Sequence, residues 1–209
     1  MAAADRRREA PFGVNNEGNI ALRELAIDSE NRTLGFPYVP SPGLLVDTLL
    51  SNIEEDLGRF TFVDFGSGKG RVVYQAALYP FKRVIGVEIA PELSEIARQN
   101  LERNRHKLAC PNVEIVTSDV ATFEIPDDMT VAYFYYPFVG ETFRRVIDSI
   151  IASLDRRPRR VRLVYGLPMM EEYILGTGRF RLCRSVKILD IGGLPHRIGV
   201  YESVAPASG

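Results

Sequence analysis

The sequence has little of what metal centres, disulfide scaffolds and membrane spans are built from. Its 209 residues include two cysteines and two histidines. Cys110 and Cys183 stand far apart and form no CxxC pair. With only His106 and His196 beside them, no metal site is expected. Two scattered thiols suit buried apolar positions of a reduced, intracellular protein better than a disulfide framework. No window approaches the roughly 18 apolar residues of a membrane span. The first ten residues are polar and carry Arg6-Arg7-Arg8 with no apolar stretch behind them, which is not the pattern of a secretory signal. An excess of one charge is missing too. Against 27 acidic residues stand 26 basic ones, a net charge of −1, so no global field draws in nucleic acid or a membrane. The expectation is a soluble, cytoplasmic protein whose partner is not nucleic acid.

What is present is ordinary for a globular chain: 45% hydrophobic and 25% charged residues. The length suits one full-sized core rather than two. Residues 1–35 read as a solvated tail with a short helix at Ile20–Ile27, and residues 36–209 as a single domain. That domain opens with Gly35-Phe36-Pro37-Tyr38-Val39-Pro40-Ser41-Pro42-Gly43. Its prolines predict an ordered, extended loop. Ser41 then caps a helix with Pro42 at its first position, running through Leu44, Leu45, Leu49 and Ile53.

From Phe60 strands and helices alternate. Strands are predicted at Phe60–Phe65, Val84–Ile89, Val113–Val116, Val131–Tyr135 and Arg160–Tyr165. Helices are predicted at Arg71–Tyr79, from Pro91 through Leu101, and at about Glu141–Leu154. The helix from Pro91 sets Leu93, Ile96, Ala97 and Leu101 on one face and Glu92, Glu95, Arg98, Glu102 and Arg103 on the other. Arg156-Arg157-Pro158-Arg159-Arg160 falls in a helix–strand connection and reads as a solvated loop. Two last strand-like runs, Arg179–Leu189 and Ile198–Val204, flank Gly192-Gly193-Leu194-Pro195 and predict a closing hairpin. The pattern is an α/β fold, a Rossmann-like doubly wound and mostly parallel sheet.

The richest stretch is Val63-Asp64-Phe65-Gly66-Ser67-Gly68-Lys69-Gly70-Arg71, a strand running through a glycine loop into a helix. Glycines there allow sharp turning and let a ligand approach the main chain. A dinucleotide fingerprint, GxGxxG, would need glycine where Arg71 stands. A Walker A loop would need glycine in place of Val63 and a hydroxyl in place of Gly70, so Lys69 is not a P-loop lysine. What remains is GxGxG two residues after an acid, Asp64, and a carboxylate there suits an ammonium rather than a pyrophosphate. Glu88, at the end of the next strand, can accept both hydroxyls of a ribose. Asp119, after the third strand, can meet an adenine amino group.

This combination resembles motif I and its successors in class I S-adenosylmethionine-dependent methyltransferases, over roughly residues 36–205. The resemblance implies a seven-stranded sheet closed by an antiparallel hairpin and S-adenosyl-L-methionine as cofactor. It implies a cofactor site of Asp64, Gly66, Ser67, Gly68, Lys69, Gly70, Glu88, Ile89, Asp119, Val120 and Tyr135. Tyr38-Val39-Pro40-Ser41-Pro42 is similar to a loop of small protein-lysine methyltransferases, or is simply a rigid entry to the following helix.

On the acceptor side the sequence reads Tyr133-Phe134-Tyr135-Tyr136-Pro137-Phe138. Relatives of this type carry Asn where Tyr136 stands, so methylation of an adenine or glutamine nitrogen is not implied. A tyrosine-rich mouth suits a cationic amine, and a protein lysine or small-molecule amine is the favoured acceptor. The acceptor candidates are Tyr38, Pro40, Ser41, Tyr136, Pro137 and Phe138, with Tyr136 the catalytic candidate. The same tyrosines at a strand end also fit plain aromatic core. An aminopropyl transferase of this fold would need carboxylates in the mouth, and Tyr135-Tyr136-Pro137 offers none. A cofactor-binding domain without catalysis is the other alternative.

Overall fold

The computed structural model describes residues 56–135, 138–189 and 195–205. The expected Ile20–Ile27 helix, the proline loop, the Ser41-capped helix and the Gly192–Leu194 turn lie outside the described residues. So do Tyr38, Pro40, Ser41, Tyr136 and Pro137.

The described elements are β1 (Thr61–Phe65), α1 (Arg71–Ala77), β2 (Arg83–Glu88), α2 (Pro91–Arg103), β3 (Val113–Thr117), β4 (Met129–Tyr135), α3 (Gly140–Arg156), β5 (Arg162–Gly166), α4 (Glu171–Gly176), β6 (Phe180–Leu189) and β7 (Pro195–Ser203). They form one seven-stranded sheet in the order β3-β2-β1-β4-β5-β7-β6. Neighbours among β1 to β5 pair in parallel, and β7 runs antiparallel to both β5 and β6. The Rossmann-like reading holds in its order of elements.

Strand alternation sorts the core into two layers. Phe62 packs with α1 and α2, while Val63 and Phe65 pack with α3. All five residues of β1 are buried, as expected of a central parallel strand covered on both faces. Helix α3 presents Phe143, Val146, Ile147, Ile150 and Leu154 as one buried stripe. Its Phe143 ring stacks on Tyr165 of β5, with centroids 4.9 Å apart.

The chain winds outward from β1 to β3, then returns through residues 118–128 to start β4 on the other side of β1. The carboxyl ends of β1 and β4 therefore diverge at the point where strand order reverses, and such a crevice is where ligands bind in open α/β sheets.

Four details differ from expectation. Helix α1 ends at Ala77, not Tyr79, with the Leu78 N–H closing the last turn. Helix α4 was not foreseen: six residues are too few to show a period, and only Ile174 of them is buried. Cys110 is buried but Cys183 is exposed on β6, and both are free thiols. The arginine run is only partly solvated. Arg159 donates to the carbonyls of Met129 (2.6 Å), Ser153 (3.0 Å) and Pro126 (3.3 Å), tying the end of α3 to the start of β4. Carbonyls at a helix end need donors, and the guanidinium fork supplies several at once. Among the described residues no helix is long and apolar enough to cross a membrane.

Candidate cofactor site

Strand β1 delivers Asp64 to the α1/α2 side of the sheet and leads into the glycine loop. Gly66, Gly68 and Gly70 have φ of 83°, 53° and 81°, the left-handed region where a Cβ is unfavourable. Gly70 has a second reason: a Cβ there would stand 2.9 Å from the Ala97 Cβ of α2.

The loop's amides are turned toward the protein. Gly66 and Ser67 both donate to the Val87 carbonyl (2.9 and 3.0 Å), and Gly70 donates to the Ser67 carbonyl (2.9 Å). Gly68 donates to the Glu88 carboxylate at 2.8 Å. A phosphate nest needs such groups pointing at the ligand, and here four of them are already engaged. The Lys69 carbonyl accepts the Asn100 side-chain amide at 3.0 Å. Ser67 turns its hydroxyl inward onto Gly86, where a Cβ would come within 2.7 Å of it. That hydroxyl has no hydrogen-bond partner among the described residues.

Glu88 is buried and holds two backbone amides, Gly68 on Oε2 and Ala90 on Oε1 at 2.9 Å. Each oxygen keeps a further lone pair for a ribose hydroxyl. Burial pushes the Glu88 carboxyl above its usual range, against the pull of N–H donors from Ala90, Gly68 and Ile89. Asp64 is only 4% exposed. Burial, and then the Glu88 charge, push its carboxyl well above the ordinary value. Lys69 is buried in the loop between them in sequence, and burial lowers its pKa.

Asp119 is half-buried past β3, and its Oδ1 accepts the Ala121 N–H at 2.8 Å, turning the chain. Val120 sends its side chain into the α3-side core, and Ile89 is half-buried beside Glu88. Tyr135 ends β4 opposite Gly166 of β5. Its ring lies across that glycine so closely that a Cβ at 166 would be 2.3 Å from the ring. By strand alternation Tyr135 shares the Asp64 face. Phe138 does not join it. Its ring is buried against Phe134 and Phe143, at 6.3 and 6.1 Å between centroids, so its expected place among the acceptor residues is replaced by one in the core. The physical reason is that the Phe138 ring packs among the apolar side chains on the α3 side of the sheet. His106 is exposed on a single helical turn at Arg105–Lys107, and His196 is half-buried on β7.

Three supporting residues escaped sequence reasoning: Asn100, Gly86 and Gly166. Only Asn100 left a signal, a polar residue on the apolar stripe of α2, three after Ala97 and next to Leu101. The glycines matter through side chains of other strands, which no local pattern reveals.

Residues 62–156 match a family described as a methyltransferase domain. No protein of curated function matches the sequence. Among solved structures, an RNA methyltransferase from Salinibacter ruber in complex with S-adenosyl-L-homocysteine is 23% identical, with a TM-score of 0.54 over 82% of this chain and 96% of that one. Magnesium protoporphyrin IX methyltransferase from Synechocystis PCC 6803 with bound S-adenosylmethionine is 14% identical, with a TM-score of 0.58 over 95% and 90%. An N-methyltransferase from Bradyrhizobium japonicum WM9 in complex with S-adenosyl-L-homocysteine is 14% identical, with a TM-score of 0.53 over 70% and 79%. These likenesses show the fold and name unlike acceptors. RNA methyltransferases among them mean that the near-zero net charge does not set nucleic acid aside. The matched segment contains the glycine loop, Glu88, Asp119 and Tyr135, so these residues lie in a stretch similar to a methyltransferase domain on a fold shared with S-adenosylmethionine-dependent methyltransferases.

Proposed function

We propose that Asp64, the loop from Gly66 to Gly70, Glu88 and Asp119 hold S-adenosylmethionine in the crevice between β1 and β4, within one domain over residues 36–209. Its methyl group passes to an amine, of a protein lysine or a small molecule, presented beside Tyr135 and Tyr136. The observation that carries the cofactor assignment is the pairing of engaged loop amides with a buried carboxylate. Amides already bonded to Val87, Ser67 and Glu88 leave little for a phosphate, whereas Asp64 suits the cofactor's ammonium group. Glu88 receives the ribose through its remaining lone pairs, and Asp119 and Val120 border the adenine.

The sulfonium methyl is already activated, so in-line placement of the nucleophile and exclusion of water supply most of the catalysis. A base is needed only for an amine that arrives protonated. The Tyr135 ring, fixed over Gly166, gives an aromatic wall that favours a cationic amine. Calorimetric titration tests the cofactor half: S-adenosylmethionine and S-adenosylhomocysteine bind and nicotinamide dinucleotides do not. Heat from NAD with none from S-adenosylhomocysteine reverses the reading. The acceptor half is tested by labelled methyl transfer into proteins, small amines and RNA. Label entering RNA alone removes the amine assignment. With an acceptor in hand, Tyr136→Phe and Tyr136→Ala separate a hydroxyl role from an aromatic wall, and unchanged turnover in both excludes Tyr136 from catalysis.

A further inference from the structure

Asp64 and Glu88 end adjacent strands on the same face of the sheet, in a pair register that sets Asp64 beside Gly86, two residues before Glu88. Both carboxylates are more than nine-tenths buried. Their surroundings differ sharply. Glu88 accepts the N–H groups of Gly68 and Ala90, which stabilise its charged form. No donor or cation from the described residues bonds the Asp64 carboxylate. The other ionisable groups on elements packed around it are Lys69 in the loop, Arg71 at the start of α1, Asp119 after β3, and Tyr133 and Tyr135 on β4. Burial and the Glu88 charge govern Asp64, and neither Lys69 nor Arg71 offsets them. Two buried carboxylates that sense each other do not both stay ionised without a cation. The one lacking donors takes the proton.

We propose that the cofactor-free enzyme keeps a proton on Asp64, and that binding of the cofactor expels it. This rests on the assignment of Asp64 to the cofactor's amine. As the ammonium enters, bearing its own three N–H bonds, the Asp64 O–H bond breaks and its proton passes to solvent. The carboxylate left behind pairs with the ammonium, directly or through water. The exchange keeps the pocket's charge balanced with and without ligand, and it makes capture depend on pH. Below the folded pKa of Asp64, affinity falls as protons compete with the ammonium. Above that pKa affinity is flat.

The test is calorimetric titration of the full chain with S-adenosylhomocysteine between pH 5 and 7, where the ligand's amine is protonated. Each pH is run in buffers of low and high ionisation enthalpy, so that the proton count is read directly. The expected result is release of up to one proton per ligand on the acid side. The association constant rises there by up to about tenfold per pH unit, the limit for one linked proton. 5′-Methylthioadenosine, which lacks the amine, binds without releasing a proton. Asp64→Asn binds S-adenosylhomocysteine more weakly, with no release and no slope. Binding with no release at any pH overturns the proposal. So does equal release with both ligands, or release that persists in Asp64→Asn. If S-adenosylhomocysteine does not bind at all, the cofactor assignment itself has failed, which is a different result.

Discussion

At the β1–β2 end of the sheet, Asp64 and Glu88 are buried carboxylates whose described partners are backbone amides or none. At the β5–β7–β6 end, Glu202 is nearly as buried yet meets Arg160, Arg162 at 3.2 Å and Arg181 at 3.0 Å. Nearby, Glu171 pairs with Arg197 and accepts the Tyr201 hydroxyl at 2.7 Å. The contrast separates two uses of a buried charge. In the hairpin end the carboxylates have cations in the fold and serve the structure. In the β1–β2 end no described side chain bonds the Asp64 carboxylate, and on the proposed reading the ligand's ammonium supplies its cation.

The pH signs are opposite. Hydrogen bonds from Arg197 and Tyr201 hold Glu171 below its usual value. Burial raises Glu202, but bonds from Arg160 and Arg162 outweigh it and leave the group depressed. Their stabilisation is present above the unfolded carboxyl value and lost as pH falls through the folded one. Asp64 and Glu88 are raised. The relative stability they confer is present below the unfolded value and lost as pH rises through the folded one. Acid therefore weakens what Glu171 and Glu202 contribute to stability, while rising pH weakens what Asp64 and Glu88 contribute.

The contrast is broken most strongly at Glu88. Glu88→Ala removes the acceptor of two buried amides as well as the proposed ribose contact. Cofactor affinity falls by roughly 1.5–3 kcal/mol and stability by about 1–3 kcal/mol for each orphaned amide. Ligand titration alongside denaturant unfolding reads both. Unchanged stability shows that the Gly68 and Ala90 bonds carry no weight.

Gly70→Ala forces a Cβ onto a left-handed backbone and against Ala97. The expected cost is about 1–3 kcal/mol, with S-adenosylhomocysteine affinity falling as the loop shifts. At the far end, Arg159→Ala costs roughly 1–3 kcal/mol through orphaned carbonyls and leaves that affinity unchanged. Coupling between Arg159 and the ligand dissolves the separation of the two ends.

The smallest effect is at Glu202. Glu202→Gln weakens pairs whose arginines are largely exposed at positions 160 and 181, so the loss is about 1 kcal/mol or less and shrinks with salt. Its clearest sign is a flatter fall in thermal stability between pH 5 and 3. A variant that melts in acid like the parent assigns that transition to other carboxylates.

Much of the fold around the glycine loop was legible in the sequence because its signals are local. Glycines at 66, 68 and 70 stand where the chain turns left-handed, Pro91 opens α2, and the apolar stripe of α3 has helical spacing. Such features depend on a residue and its near neighbours, so the glycine loop and the order of strands and helices, α4 apart, follow from the sequence alone. The tertiary structure decided what depends on residues far apart in the chain. It turned the Gly68 amide to Glu88, twenty residues away, and set Asn100 on the Lys69 carbonyl. It laid Tyr135 over Gly166, buried Phe138 in the core and left Cys183 exposed. Periodicity states which face of an element is apolar. Which side chain meets that face, and whether a buried carboxylate there finds a cation, is settled only when the strands pair.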